Sequence, residues 1–95
     1  MAFILTRINV GDYETWKPMF DLDGPRAREH ATSFRIFRGV DDPNEVFLEI
    51  EFATVDEAKT ARERLITSGV LDRFSDTYGD AAAAEVSAHI RCPRP

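Results

Sequence analysis

His30 and His89 carry the only side chains of this 95-residue chain that change charge between about pH 5 and 8 in an ordinary environment. His30 follows a charged segment and precedes a β-rich run, so it is expected at the rim of a pocket, where an imidazole can take a proton. Tyr13, Trp16 and Phe20 recur at three- and four-residue spacing, which puts them on one face of a helix. Trp and Tyr pair an apolar body with a polar tip and can orient a phenolic ligand, although the same stripe can equally be ordinary core. Metal chemistry has less support. The two histidines lack ligand spacing, and Asp41, Asp42 and Glu45 lack the alternating oxygen donors of a calcium loop. Cys92 stands alone, so neither an intrachain disulfide nor a cysteine-rich zinc site can form. Nucleophile elbow, phosphate loop and dinucleotide fingerprint are all missing, and no metal or cofactor is expected.

The elements that must hold these residues follow from periodicity. Ala2 to Val10 is a β-rich run ended by Gly11-Asp12, with Asp12 the expected N-cap of the helix that carries the aromatic stripe. Pro18 lies inside that helix, and a kink or a start delayed to about Thr15 is expected. Gly24-Pro25 ends it. Thr32 to Gly39 and Asn44 to Ala53 read as strands joined across the turn Asp41-Asp42-Pro43-Asn44. Thr54-Val55-Asp56-Glu57 is a capping box, and Val55, Ala58, Ala61 and Leu65 form the buried stripe of the helix it opens. Gly69 is its expected C-cap, with a short helical piece over Val70, Leu71 and Phe74. Ala81 to Arg91 reads as a closing strand in which Val86, Ala88 and Ile90 alternate with Glu85, Ser87 and His89. The order β-α-β-β-α-β predicts a single α+β, ferredoxin-like domain over 1–91 with a four-stranded antiparallel sheet, followed by a short tail, 92–95.

Strand parity separates two faces. One collects Ile4, Ile8, Val10, Phe34, Ile36, Val46, Leu48, Ile50, Phe52, Val86 and Ile90, the expected core under the helices. The other carries Phe3, Leu5, Arg7, Asn9, Arg35, Phe37, Phe47, Glu49, Glu51, Glu85, Ser87 and His89. A wet sheet face would be polar throughout. This one holds four large apolar side chains and both charge signs, so it is expected to meet a second copy of the chain. Phe3, Arg7, Arg35, Phe37, Phe47, Glu49, Glu51 and His89 would form that interface, with the arginines reaching the glutamates across a two-fold axis.

Composition closes off other classes. Twelve basic against seventeen acidic residues give a net charge of −5. A nucleic-acid or anionic-membrane partner, which needs a basic face, is therefore not expected. The apolar start, interrupted by Arg7, has no basic leader and no cleavage site, and no run nears the roughly 20 residues of a membrane span. A cytoplasmic protein is expected.

The combination Asn9-Val10-Gly11-Asp12-Tyr13 with Trp16 and Phe20, then Phe34-Arg35-Ile36-Phe37-Arg38, then Asp41-Asp42-Pro43-Asn44-Glu45-Val46 and Thr54-Val55-Asp56-Glu57-Ala58, resembles the dimeric α+β-barrel proteins. Within them it is similar to the antibiotic-biosynthesis monooxygenase-like and uncharacterised cyclase-like members. The resemblance implies a homodimer whose sheets face each other, closing an α+β barrel, with a small-molecule pocket between each sheet and its helices. It also implies cofactor-free oxidation or cyclisation of an aromatic or polyketide-like molecule, or a non-catalytic, ligand-binding or stress-related dimer. In that reading His30 and Asn9 are the catalytic candidates, and Tyr13, Trp16, Phe20 and Arg38 hold the substrate. The haem-degrading branch pairs an Asn on the first strand with a His and a Trp near the second helix; residues 54 to 78 contain neither, so haem is not expected.

Overall fold

A computed structural model describes residues 1–24, 26–69, 82–88 and 92–93. Four strands and two helices follow in the order β1 (Ala2–Asn9), α1 (Tyr13–Asp21), β2 (Ser33–Arg38), β3 (Glu45–Phe52), α2 (Val55–Ser68) and β4 (Ala82–Glu85). The strands form one antiparallel sheet in the order β2-β3-β1-β4. This is the βαββαβ arrangement that the periodicity predicts.

The alternation of β1 and β3 sets their register. Ala2 opposes Phe52, and the pairing runs residue by residue to Asn9 opposite Glu45. Ile4, Ile8, Val46, Ile50 and Phe52 therefore share the face under the helices and are buried, as the parity predicts. A one-residue slip would turn this whole set outward, so burial itself fixes the pairing.

The two helices approach the sheet differently. α2 presents Ala58 and Ala61, side chains small enough for its backbone to lie close over β1, β3 and β4. α1 presents Tyr13, Trp16 and Phe20 and is held farther off by their bulk. The ends of α2 are those read from the sequence. Thr54 Oγ1 accepts from the Glu57 N–H, and Gly69 closes the helix in the left-handed region at φ 73°.

Of the two effects expected of Pro18, a delayed start is not the one found. The helix begins at Tyr13 rather than near Thr15, with Pro18 in its second turn. The Asp12 carboxylate is at the N-cap but accepts from the Thr15 hydroxyl, not from a backbone donor. Asn44, in the β2–β3 turn, supplies the missing cap: its Oδ1 accepts from the Tyr13 N–H at 3.0 Å. A helix start fixed from outside does not need to wait for a better residue.

β4 corrects the parity. Its described residues end at Glu85, and Glu85 opposes Ala2 while Ala83 opposes Ile4. Glu85 is therefore on the helix side of the sheet, and Ala82 and Ala84 share the open side with Leu5 and Phe3. Val86, expected in the core, lies beyond the strand and is exposed. Four successive alanines carry no polar–apolar alternation, so pairing with β1 alone decides which way they face. The expected helical piece at 70–74, and His89 and Ile90, lie outside the described residues.

Candidate functional site

Four groups of side chains stand out: two on the helix side of the sheet, one where two loops meet, and one on the open face. The first is the aromatic column of α1. Tyr13 and Trp16 have ring centroids 5.7 Å apart, Trp16 and Phe20 4.9 Å, and Phe20 meets Phe34 of β2 edge-on at 5.6 Å. Guanidinium groups cover both ends, Arg38 at 3.8 Å over Tyr13 and Arg28 at 3.8 Å over Phe20. These cation–π contacts use the negative face of each ring. Trp16 is only 6% exposed. Tyr13, Trp16, Phe20 and Arg38 are thus brought together as expected, and they fill their space by contacting one another.

Arg28 is further fixed from its own loop. Its guanidinium donates to the Phe20 carbonyl, and the Asp23 carboxylate accepts from the Ala27 and Arg28 backbone N–H groups at 3.0 Å each. Burial lowers the Arg28 guanidinium below its ordinary value, and the nearby Asp23 and Asp21 carboxylates oppose that shift.

The second group lies where the 26–30 segment leans toward α2. A partly open cavity of about 270 Å³ has Ala27, Phe52 and Ala61 as its apolar floor. Arg26, His30, Asp56, Glu57, Thr60 and Arg64 stand around it. Arg64 ties the two sides: its NH1 donates to the Arg26 carbonyl and to Glu29 Oε2, both at 3.0 Å. That hydrogen bond holds the Glu29 carboxyl below its ordinary value. His30 therefore does edge a cavity, but the aromatic column is not part of its lining. The sequence does not single out Arg26, Thr60 and Arg64, because nothing in a charged turn or a polar helix face shows which loop will lie over it.

The third group removes Asn9 from His30. Asn9 Nδ2 donates to Asp42 Oδ2 at 3.1 Å, and its Oδ1 accepts from the Gly11 N–H at 2.9 Å. Asp42 Oδ1 accepts in turn from the Asn44 N–H. Asn9 thus joins the β1–α1 loop to the β2–β3 turn. It opposes Glu45, at the far end of β3 from Phe52 in the cavity floor. Seven residues of strand separate those ends, roughly 23 Å at about 3.3 Å per residue. The two catalytic candidates are not brought together.

On the open face Leu5, Phe37 and Phe47 are 43%, 44% and 36% exposed. Phe37 opposes Phe47, and Arg35 opposes Glu49. Arg35 grips Glu49 within the same sheet, its NH2 reaching both carboxylate oxygens at 2.9 and 3.2 Å. Arg7 pairs with Glu45 and lies 5.4 Å from the Phe47 ring centroid. The arginine–glutamate pairs of this face are formed inside one chain, across neighbouring strands, and not only where a second copy could supply the acid. Among the described residues no cluster of three or more His, Cys, Asp or Glu side chains is placed to hold a metal ion. No described helix is long and apolar enough to cross a membrane.

Fold and site together define a small α+β protein whose described residues form one sheet with two helices on one face and the other face open. No family model matches the sequence, and no curated protein matches it. Among solved structures, that of Rv0793 from Mycobacterium tuberculosis is similar to it, with a TM-score of 0.59 over 97% of this chain and 98% of that one. The two sequences are 11% identical, so the likeness is one of fold.

Proposed function

We propose that the chain is a homodimer, joined through its open sheet faces, that binds a small organic molecule in the cavity beside His30. The finer reading is a cofactor-independent monooxygenase or cyclase acting on an aromatic or polyketide-like substrate. The observation that carries it is the cavity: an apolar floor of Ala27, Phe52 and Ala61 beneath a polar edge that includes an imidazole. An apolar floor with a few polar groups is the usual form of a small-molecule site. Both activities begin by removing a proton from an acidic phenol or an enolisable carbon, and His30 is the group beside the cavity suited to take it. The exposed Leu5, Phe37 and Phe47 support the dimer, since an apolar face of this kind gains by being covered.

Oxygen uptake and product analysis on a set of hydroxyaromatic substrates test the enzyme. Turnover should fall about 10²–10⁴-fold in His30→Ala, the usual contribution of a general base. Equal turnover in both, or none in the wild type, removes the catalytic reading. Light scattering at micromolar concentration tests the dimer separately, and a mass near 10.8 kDa would remove it.

A second reading, ligand binding without catalysis, has its own support. The aromatic column is closed by ring-to-ring contact, and both ends of the Asn9 amide are used within the chain. It predicts saturable binding with no turnover of any ligand bound.

A further inference from the structure

We propose that the cavity beside His30 takes a small apolar molecule bearing a monoanionic head group, a carboxylate, with the Arg26 guanidinium as its anchor. The inference rests on the cavity being a binding site and does not rest on catalysis.

Charge is segregated along the cavity. Asp56 and Glu57 stand in the first turn of α2, and Arg64 lies two turns further on. Eight residues of helix separate Asp56 from Arg64, about 12 Å at a rise of 1.5 Å per residue. Arg26 belongs to the Arg64 end, because its carbonyl accepts from Arg64 NH1. The two arginines are not equivalent. Arg64 is committed to Glu29 and to that carbonyl. The Arg26 guanidinium makes no hydrogen bond or ion pair among the described residues.

Arg26 also occupies an expensive backbone position, at φ +56°. Left-handed geometry costs an ordinary side chain roughly 1 kcal/mol, and glycine or asparagine would adopt it more readily. The chain therefore places a long cationic side chain, free of hydrogen bonds to the described residues, at the mouth of a cavity where a shorter residue would fold better.

The charge count selects the head group. Glu29 bonds Arg64 and also feels the Arg26 charge, so among the described residues this end carries two arginines against one carboxylate, a single cation in excess, with Asp56 and Glu57 at the opposite end. A single negative charge is matched by the Arg26 guanidinium, the acidic end lying more than a Debye length of about 8–10 Å away, whereas the second charge of a dianion would have no further cation to meet it. The rest of the molecule lies along Ala27, Phe52 and Ala61, which offer no polar side chain.

Titration of ¹⁵N-labelled full-length protein with 3-phenylpropanoate, its neutral amide and phenyl phosphate tests this. In the wild type the acid should bind at least tenfold tighter than the other two, with shifts at Ala27, Phe52 and Ala61. Arg26→Asn should bring the acid to the affinity of the amide while leaving the melting temperature unchanged or higher, and Arg26→Lys should retain part of the preference. The inference is overturned if the wild type binds acid and amide alike, fails to bind the acid at millimolar concentration, or prefers the phosphate. An Arg26→Asn variant that keeps the preference overturns it too. A protein that binds the acid with full selectivity but turns nothing over supports the inference and removes only the enzymatic reading.

Discussion

Replacing Thr6 with valine should make the protein more stable. Thr6 lies on β1 opposite Leu48, on the face under the helices, and is 8% exposed. Its Oγ1 is buried and has no hydrogen-bond partner. A buried hydroxyl left unpaired carries a desolvation penalty of about 1–3 kcal/mol. Valine keeps the β-branched shape, so the side chain can hold its rotamer in a strand that favours such residues. Its extra methyl gains at most ~0.8 kcal/mol of burial. The net expectation is a gain of about 1–2 kcal/mol, where each kcal/mol raises the melting temperature of a chain this size by roughly 4–8 °C. Urea unfolding at one fixed protein concentration measures it, and the midpoint should rise with an unchanged slope. Thr6→Ser, which keeps the hydroxyl and loses the methyl, should move the midpoint down. A valine variant that is less stable than wild type would refute the reasoning, since the hydroxyl would then be making a bond that valine breaks.

Three more expectations concern loops and charge. Asn44→Ala should cost about 0.5–2 kcal/mol in a thermal melt, the usual loss for a helix cap, and Asn44→Asp should restore most of it. Gly39→Ala should destabilise by about 1–3 kcal/mol, because a Cβ there would lie 2.5 Å from the Asp42 carbonyl oxygen and force the hairpin open; a variant that melts with wild type would show that the turn yields freely. The Glu29 carboxyl lies below its ordinary value of 4.5 because Arg64 bonds its charged form. Its contribution to stability is therefore present above that value and lost as pH falls through the lowered one. Stability measured from pH 6 down to pH 2 should fall less steeply in Glu29→Gln than in wild type.

What the sequence conveys here depends on how local the determining physics is. Alternation in Val46, Leu48, Ile50 and Phe52 sets a face before any partner strand is known, and β3 follows it. Thr54 and Glu57 are three residues apart, and Gly69 needs only its own backbone, so both ends of α2 can be read directly. The start of α1 cannot, because its cap comes from Asn44, 31 residues away. The facing of Ala82–Glu85 cannot either, because alanines do not alternate and β1 decides the register. The candidate site divides the same way. His30 is legible as a rim residue from its place between a charged segment and a strand. Its companions Arg26 and Arg64 are brought together by a loop crossing a helix, a contact that neither local stretch encodes.

The cap that Asn44 lends to Tyr13 also constrains the order of assembly. A helix of nine residues is too short to persist alone in water, since the first turn is costly to nucleate. The Asp12 side chain caps none of the N-terminal backbone donors of α1, so the helix gains that cap only after the β2–β3 turn has formed and met the β1–α1 loop. The hairpin, whose contacts are near in sequence, can close first, and α1 then condenses onto a surface already made. Substitutions in α1 should therefore leave the folding rate almost untouched and accelerate unfolding, making this helix a late and separately tunable part of the protein's kinetic lifetime.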